Sequence, residues 1–108
     1  MTQPRVFGVE QPIDVGDRKR ARWTVTNEAG SLADPAEMYF RIRSPAGVET
    51  TYEYLVDAEL VRESLGTFSS AVTFDDDGSW WLRAKADGDI IDALEVEVRV
   101  RKSAFVSP

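Results

Sequence analysis

Three consecutive aspartates, Asp75-Asp76-Asp77 before Gly78, and two adjacent tryptophans, Trp80 and Trp81, are the densest chemistry in this sequence. Clustered carboxylates at a loop end suit calcium, which takes six to eight oxygen ligands, roughly, in a flexible shell. The run lacks the alternating ligands and the closing bidentate glutamate of a calcium loop. Aspartate also tolerates and caps turns, so the plain reading is a corner between strands. The tryptophans pose a different question, because neighbouring side chains of a strand point to opposite faces. One of them belongs to a core and the other needs a reason to be outside.

Catalytic arrangements are scarce. The chain contains neither histidine nor cysteine, which removes the commonest general base near neutral pH, the commonest transition-metal ligand and the thiol nucleophile. Serines and aspartates remain without an imidazole between them, and the lysines have no evident apolar pocket to lower their pKa. The expectation is a protein that is not an enzyme, with no cofactor and no metal. A net charge of −6 argues against a nucleic-acid surface, since phosphate binding draws on accumulated Lys and Arg. No apolar run is long enough for a membrane helix, so no membrane insertion is expected. The start, Met-Thr-Gln-Pro-Arg, lacks the charged and apolar regions of a secretion signal.

What must position these groups is a set of strands. With 43% hydrophobic residues in 108, the chain suffices for one folded domain spanning 1–108, with short arms at about 1–4 and 102–108. Period two dominates. In "KRARWTVTN" Ala21, Trp23 and Val25 alternate with Arg20, Arg22 and Thr24, and in "EMYFRIRSP" Met38, Phe40 and Ile42 alternate with Tyr39, Arg41 and Arg43. Ser44-Pro45-Ala46-Gly47 turns into "VETTYEYL", and "ELVRES" is a brief strand ending near Gly66. "TFSSAVTF" sets Phe68, Ser70, Val72 and Phe74 on one face; "SWWLRAKA" sets Trp80, Leu82, Ala84 and Ala86 inward and Trp81, Arg83 and Lys85 outward. A tight hairpin at Asp87-Gly88-Asp89 leads to a last strand burying Leu94, Val96, Val98 and Val100. "PRVFGVEQPIDVGD" is interrupted by Pro4, Gly8 and Pro12, which places it at an edge where it can cross from one sheet to another. Only "SLADPAEM" suggests a helical turn, capped by Ser31 or Asp34 with Pro35 at the first helical position. Seven to eight short antiparallel strands punctuated in this way predict an all-β, immunoglobulin-like β-sandwich.

That alternation gathers Tyr39, Arg41, Arg43, Trp81, Arg83 and Lys85 on one outward face, with Glu95 and Glu97 nearby. Aromatic and arginine side chains together are the composition of a protein contact, and an exposed indole also suits a sugar ring, for which Trp81, Tyr52 and Tyr54 form a candidate platform. The structural alternative is a wet face on which arginine stems cover the rings. Arg18, Arg20 and Arg22 form a second stripe, read as a solvated face paired with local carboxylates.

The order of short motifs adds a resemblance. Val15-Gly16-Asp17, then Ile42-Arg43-Ser44-Pro45-Ala46-Gly47, Glu49-Thr50-Thr51-Tyr52-Glu53-Tyr54, Leu60 to Phe68 through Arg62 and Gly66, and Gly78-Ser79-Trp80-Trp81-Leu82-Arg83 follow one another over roughly residues 13–100. In that order the chain resembles the small immunoglobulin-like proteins encoded among the structural genes of tailed bacteriophages and related prophages. It departs from the pattern at Asn27-Glu28-Ala29-Gly30, where a D-G turn is usual, and at Phe68, where tyrosine is usual. The resemblance implies a virion structural or accessory protein assembled in the host cytoplasm: a capsid decoration, neck or tail component. It would dock on phage structural proteins in multiple copies. Under that reading, Arg5, Val6 and Phe7 at one end and Phe105 and Val106 at the other are candidate docking arms. A bacterial immunoglobulin-like adhesion or carbohydrate-binding module is the alternative.

Overall fold

In the computed structural model, which describes residues 7–9, 12–88, 90 and 92–102, the alternating segments form nine strands. They are β1 (Phe7–Gly8), β2 (Ile13–Asp14), β3 (Arg18–Thr24), β4 (Glu37–Arg43), β5 (Glu49–Glu53), β6 (Val61–Ser64), β7 (Thr67–Thr73), β8 (Gly78–Asp87) and β9 (Asp92–Arg101). One sheet has the order β1-β3-β7-β6 and the other β2-β9-β8-β4-β5. The expected seven or eight antiparallel strands thus become nine, because the proline-interrupted N-terminal segment is split in two. β1 pairs antiparallel with β3, whereas β2 pairs parallel with β9 in the opposite sheet. The predicted crossing between sheets is made here, within a few residues.

The inward set is the one alternation picked out. Ala21, Trp23, Met38, Phe40, Ile42, Phe68, Val72, Phe74, Trp80, Leu82, Ala84, Ala86, Val98 and Val100 are all buried in one core. Trp23 of the first sheet stacks on Phe40 of the second with ring centroids 4.7 Å apart, and its indole N–H donates to Met38 Sδ at 3.3 Å. Phe74 and Trp80 meet edge to face at 5.2 Å. Burying each such ring contributes roughly 2–3 kcal/mol, which makes these pairs the staples between the layers.

Two local expectations are corrected. Residues 31–36 form no helical turn, because Asp34 has a better partner than its own chain neighbours. Its carboxylate accepts from the Gly66 amide at 2.8 Å and from Arg62 Nε at 3.0 Å, tying the β3–β4 connection to the β6–β7 hairpin. Gly66 sits at φ +65°, with its carbonyl accepting from the Val25 amide. A Cβ there would lie 2.8 Å from the Ala33 nitrogen, so the position admits glycine alone. The β8–β9 corner is also wider than a tight hairpin, since cross-strand partners begin at Ala86 and Asp92.

Candidate functional site

The register of the second sheet places its outward residues in rows. One row reads Glu97, Trp81, Arg43, Glu49; the next Glu95, Arg83, Arg41, Thr51; the third Ala93, Lys85, Tyr39, Glu53. Residues directly opposite share a face. All six predicted site residues, Tyr39, Arg41, Arg43, Trp81, Arg83 and Lys85, therefore lie together on the two central strands, between flanking columns that carry most of the acids.

The ion pairs on this face are uneven. Arg43 Nε donates to Glu49 at 2.9 Å, which holds the Glu49 carboxyl below its ordinary range. Lys85 Nζ lies 3.2 Å from Asp87. Glu53, across from Tyr39, pushes the Tyr39 phenol up by its negative charge. In the middle row the pattern breaks: Arg41 and Arg83 face one another across β4 and β8, and neither forms an ion pair among the described residues. Arg41 Nε reaches only the neutral Thr51 hydroxyl, at 3.4 Å. Like charges directly opposite in a sheet are unfavourable, so this pair does nothing for the fold. Arg41 and Arg83 also line both of two open hollows, of about 290 and 270 Å³, one bounded by Trp81 and the other by Tyr39 and Lys85. Trp81 remains 42% exposed, in contrast to Trp80 at 5%.

The outer face of the first sheet is closed by comparison. Ser69, on the opposite side of β7 from Phe68 and Ser70, has no exposed surface: its hydroxyl accepts from Arg20 at 3.1 Å. The same hydroxyl donates to Glu63, which also takes Arg22 Nε at 3.1 Å, and both contacts hold the Glu63 carboxyl below its ordinary range. The reading of Arg18, Arg20 and Arg22 as a stripe paired with local carboxylates holds for Arg22; Arg20 reaches the Ser69 hydroxyl instead, and Arg18 forms no ion pair among the described residues. The key residue of this face, Ser69, was not visible in the sequence because its burial depends on side chains from β3 and β6 folding over it.

Other predicted groups are dispersed. Tyr52 and Tyr54 pack against the core, Tyr54 edge to face with Phe68 at 5.2 Å, so they share no surface with Trp81. The three aspartates are exposed in the β7–β8 corner, where the Asp76 carbonyl accepts the Trp80 indole N–H at 2.9 Å. Among the described residues no group of three or more acids is placed to hold a metal. Of the candidate arms, Arg5, Val6, Phe105 and Val106 lie outside the described residues, whereas the Phe7 backbone pairs with Trp23 in β1 and is part of the sheet.

No protein-family model matches the chain, and no curated protein matches its sequence. Solved structures do resemble it. The filamin domain of Lin-41 superimposes with a TM-score of 0.64 at 13% identity, covering 88% of this chain and 91% of that domain. The fold is an immunoglobulin-like β-sandwich. Chitinase ChiW from Paenibacillus sp. str. FPU-7, a cell-surface-expressed multi-modular enzyme machinery, contains a similar stretch with a TM-score of 0.58 at 17% identity over 94% of this chain. MtrC from Shewanella baltica OS185 contains another, with a TM-score of 0.53 at 13% identity over 98%. The chain spans 9% of ChiW and 24% of MtrC, and at these identities the likeness concerns the fold alone.

Proposed function

We propose that this protein is a non-enzymatic docking module of a tailed phage or phage-like particle, a capsid decoration, neck or tail component, and that it attaches through the outer face of β4 and β8. The observation that carries the docking reading is the opposed pair Arg41 and Arg83 beside the exposed Trp81. Two guanidinium groups in no ion pair among the described residues, with Glu49 and Glu95 at the margins of the same hollow and an indole beside them, match a partner surface that supplies acids around an apolar patch. The setting on a particle is supported by the order of motifs from Val15-Gly16-Asp17 to Gly78–Arg83. Repetition of the partner on a shell or ring would make many modest contacts collectively stable.

Quantitative mass spectrometry of purified particles tests the setting. Hundreds of copies per particle indicate shell decoration and about six or twelve a neck or tail ring; complete absence from particles would end the virion reading. The second reading, an adhesion or carbohydrate-binding module, draws on the exposed Trp81 and on a similar stretch within a cell-surface chitinase. A glycan-array signal lost in Trp81→Ala would favour it. The separation of Tyr52 and Tyr54 from Trp81 counts against it, because among the described residues it leaves Trp81 with only the Tyr39 ring, two rows away, on that face.

A further inference from the structure

A second site lies away from this face, where the sandwich is open along one side. β5 ends the second sheet, and β6 covers β7 only as far as Ser69, opposite Val61. The remainder of β7, together with Thr50 and Tyr52 of β5, borders a lateral cleft of about 580 Å³, floored by Ile42, Val72 and Trp80. That volume is within the range of about 300–1,000 Å³ usual for binding sites.

Among the described residues, the backbone along this cleft is bare on both walls. The Tyr54 amide donates to Met38, and Ser44 donates to Val48, so even-numbered residues of β5 turn their peptide groups to β4. Antiparallel alternation then points the amide and carbonyl of Glu49, Thr51 and Glu53 outward. Glu53 is satisfied by the Asp57 carboxylate, 2.8 Å from its amide, and its carbonyl accepts from Val56 and Asp57. Among the described residues, Glu49 and Thr51 have no such cover. On the other wall Val25 donates to Gly66 and Phe74 to Asp17, which by the same alternation leaves Ala71 and Thr73 pointing away from β3, beyond the reach of β6. Unpaired strand edges of this kind are ordinarily covered or guarded.

We infer that the cleft takes an extended segment of a partner protein carrying Lys or Arg at alternate positions with small apolar residues between them. Its backbone pairs with Glu49 and Thr51 or with Ala71 and Thr73, and its apolar side chains enter between the sheets toward Ile42 and Val72. Charge selects the sequence. The carboxylates of Glu59, Asp75 and Asp76 line the cleft, Glu49 and Glu53 stand on the β5 edge, and Arg18 and Arg20 are the cations opposing them. The three acids lining the cleft, Glu59, Asp75 and Asp76, outnumber its two cations, Arg18 and Arg20, so the balance on offer is negative. Charge also disfavours a second copy of this chain: two β5 edges pairing antiparallel about Thr51 would set Glu49 directly against Glu53 of the other molecule. Val48 and Val61, 66% and 39% exposed, are the apolar lips that such a segment would cover.

An array of twelve-residue peptides tests this, with Lys or Arg at every second position and Ala, Val, Ile, Thr or Ser between. Selected peptides are then followed by amide NMR on the intact protein. The expected result is saturable binding, with shifts and slowed exchange at the Glu49 and Thr51 amides or at those of Ala71 and Thr73. Affinity should fall at least tenfold when the basic positions become Glu, and also when alternate residues become Pro, which has no amide to donate. Val61→Asp, at the lip of the cleft, should keep the fold and change affinity, whereas Trp81→Ala should leave binding unchanged. No saturable peptide, equal binding of the Glu or Pro series, shifts confined to the Arg41 and Arg83 face, or dimerisation through β5 would each overturn the inference.

Discussion

The outer faces of the two sheets have similar compositions and opposite states. On the first sheet Arg20 and Arg22 converge on Ser69 and Glu63: the buried hydroxyl joins Arg20 to the Glu63 carboxylate, which takes Arg22 directly. On the second sheet Arg41 and Arg83 face each other and neither forms an ion pair among the described residues, although Glu95 stands across from Arg83 in the same row. The difference teaches that a stripe of arginines has no fixed meaning. What matters is whether the neighbouring strand returns a carboxylate to it. On the first sheet β6 does so through Glu63; on the second, β4 and β8 set cation against cation. A face that satisfies itself contributes to the fold, and one left unsatisfied is available to a partner.

Stability measurements on variants can break this contrast. The largest effect is expected at the corner that holds β6 in place. Gly66→Ala should cost about 3 kcal/mol or prevent folding, as the added Cβ meets backbone in a left-handed turn. Denaturant unfolding would show it, and a loss under about 1 kcal/mol would mean that the turn is not constrained as described. Next, the two adjacent serines, both without exposed surface, should respond differently. Ser69→Ala removes the hydroxyl that joins Arg20 and Glu63 and should cost about 1–2 kcal/mol. Ser70→Ala removes a buried hydroxyl with no partner among the described residues and should be neutral or stabilising by up to about 1 kcal/mol. The smallest change belongs to the open face: Arg41→Thr or Arg83→Thr should leave stability within about 0.5 kcal/mol, with any shift toward greater stability as the like-charge contact is relieved. A cost above about 1 kcal/mol there would show that the pair serves the fold after all.

Acid titration sharpens the same contrast. The Asp34 carboxyl is held low chiefly by its hydrogen bond from Arg62 and then by the Gly66 amide, and the Glu63 carboxyl by Ser69 and then Arg22. Both folded values lie below the unfolded ones, so their contribution is complete above about pH 4–5 and is lost as pH falls through the depressed folded values. The β6–β7 hairpin should therefore loosen below about pH 4. In Asp34→Asn that part of the acid sensitivity should disappear, and an unchanged acid profile would contradict the assignment.

Much of this architecture was legible in the sequence because one physical rule, alternation across a pleat, decides most side-chain directions. It placed Trp80 in and Trp81 out, put the six candidate residues on one surface, and let Pro4, Gly8 and Pro12 mark the segment that changes sheets. The misreadings share a cause. Asp34 looked like a helix cap because its best partners, Arg62 and Gly66, are 28 and 32 residues away. The burial of Ser69 leaves no trace in the alternation because its cover comes from two other strands. The lateral cleft has no local signature, since it depends on β6 stopping opposite Ser69. The short motifs proved to be corners: Gly16 donates to the Phe74 carbonyl, Gly47 and Gly78 adopt positive φ, and Arg62 and Gly66 share Asp34.

The proposal that the Arg41 and Arg83 face is what holds this protein to its particle is tested most directly by particle co-sedimentation. The double variant Arg41→Glu with Arg83→Glu is compared with the charge-matched Arg101→Glu with Lys102→Glu, after both are shown to be folded. The account predicts at least a tenfold loss of bound copies for the first and near-normal binding for the second. Equal retention of the two variants would contradict it.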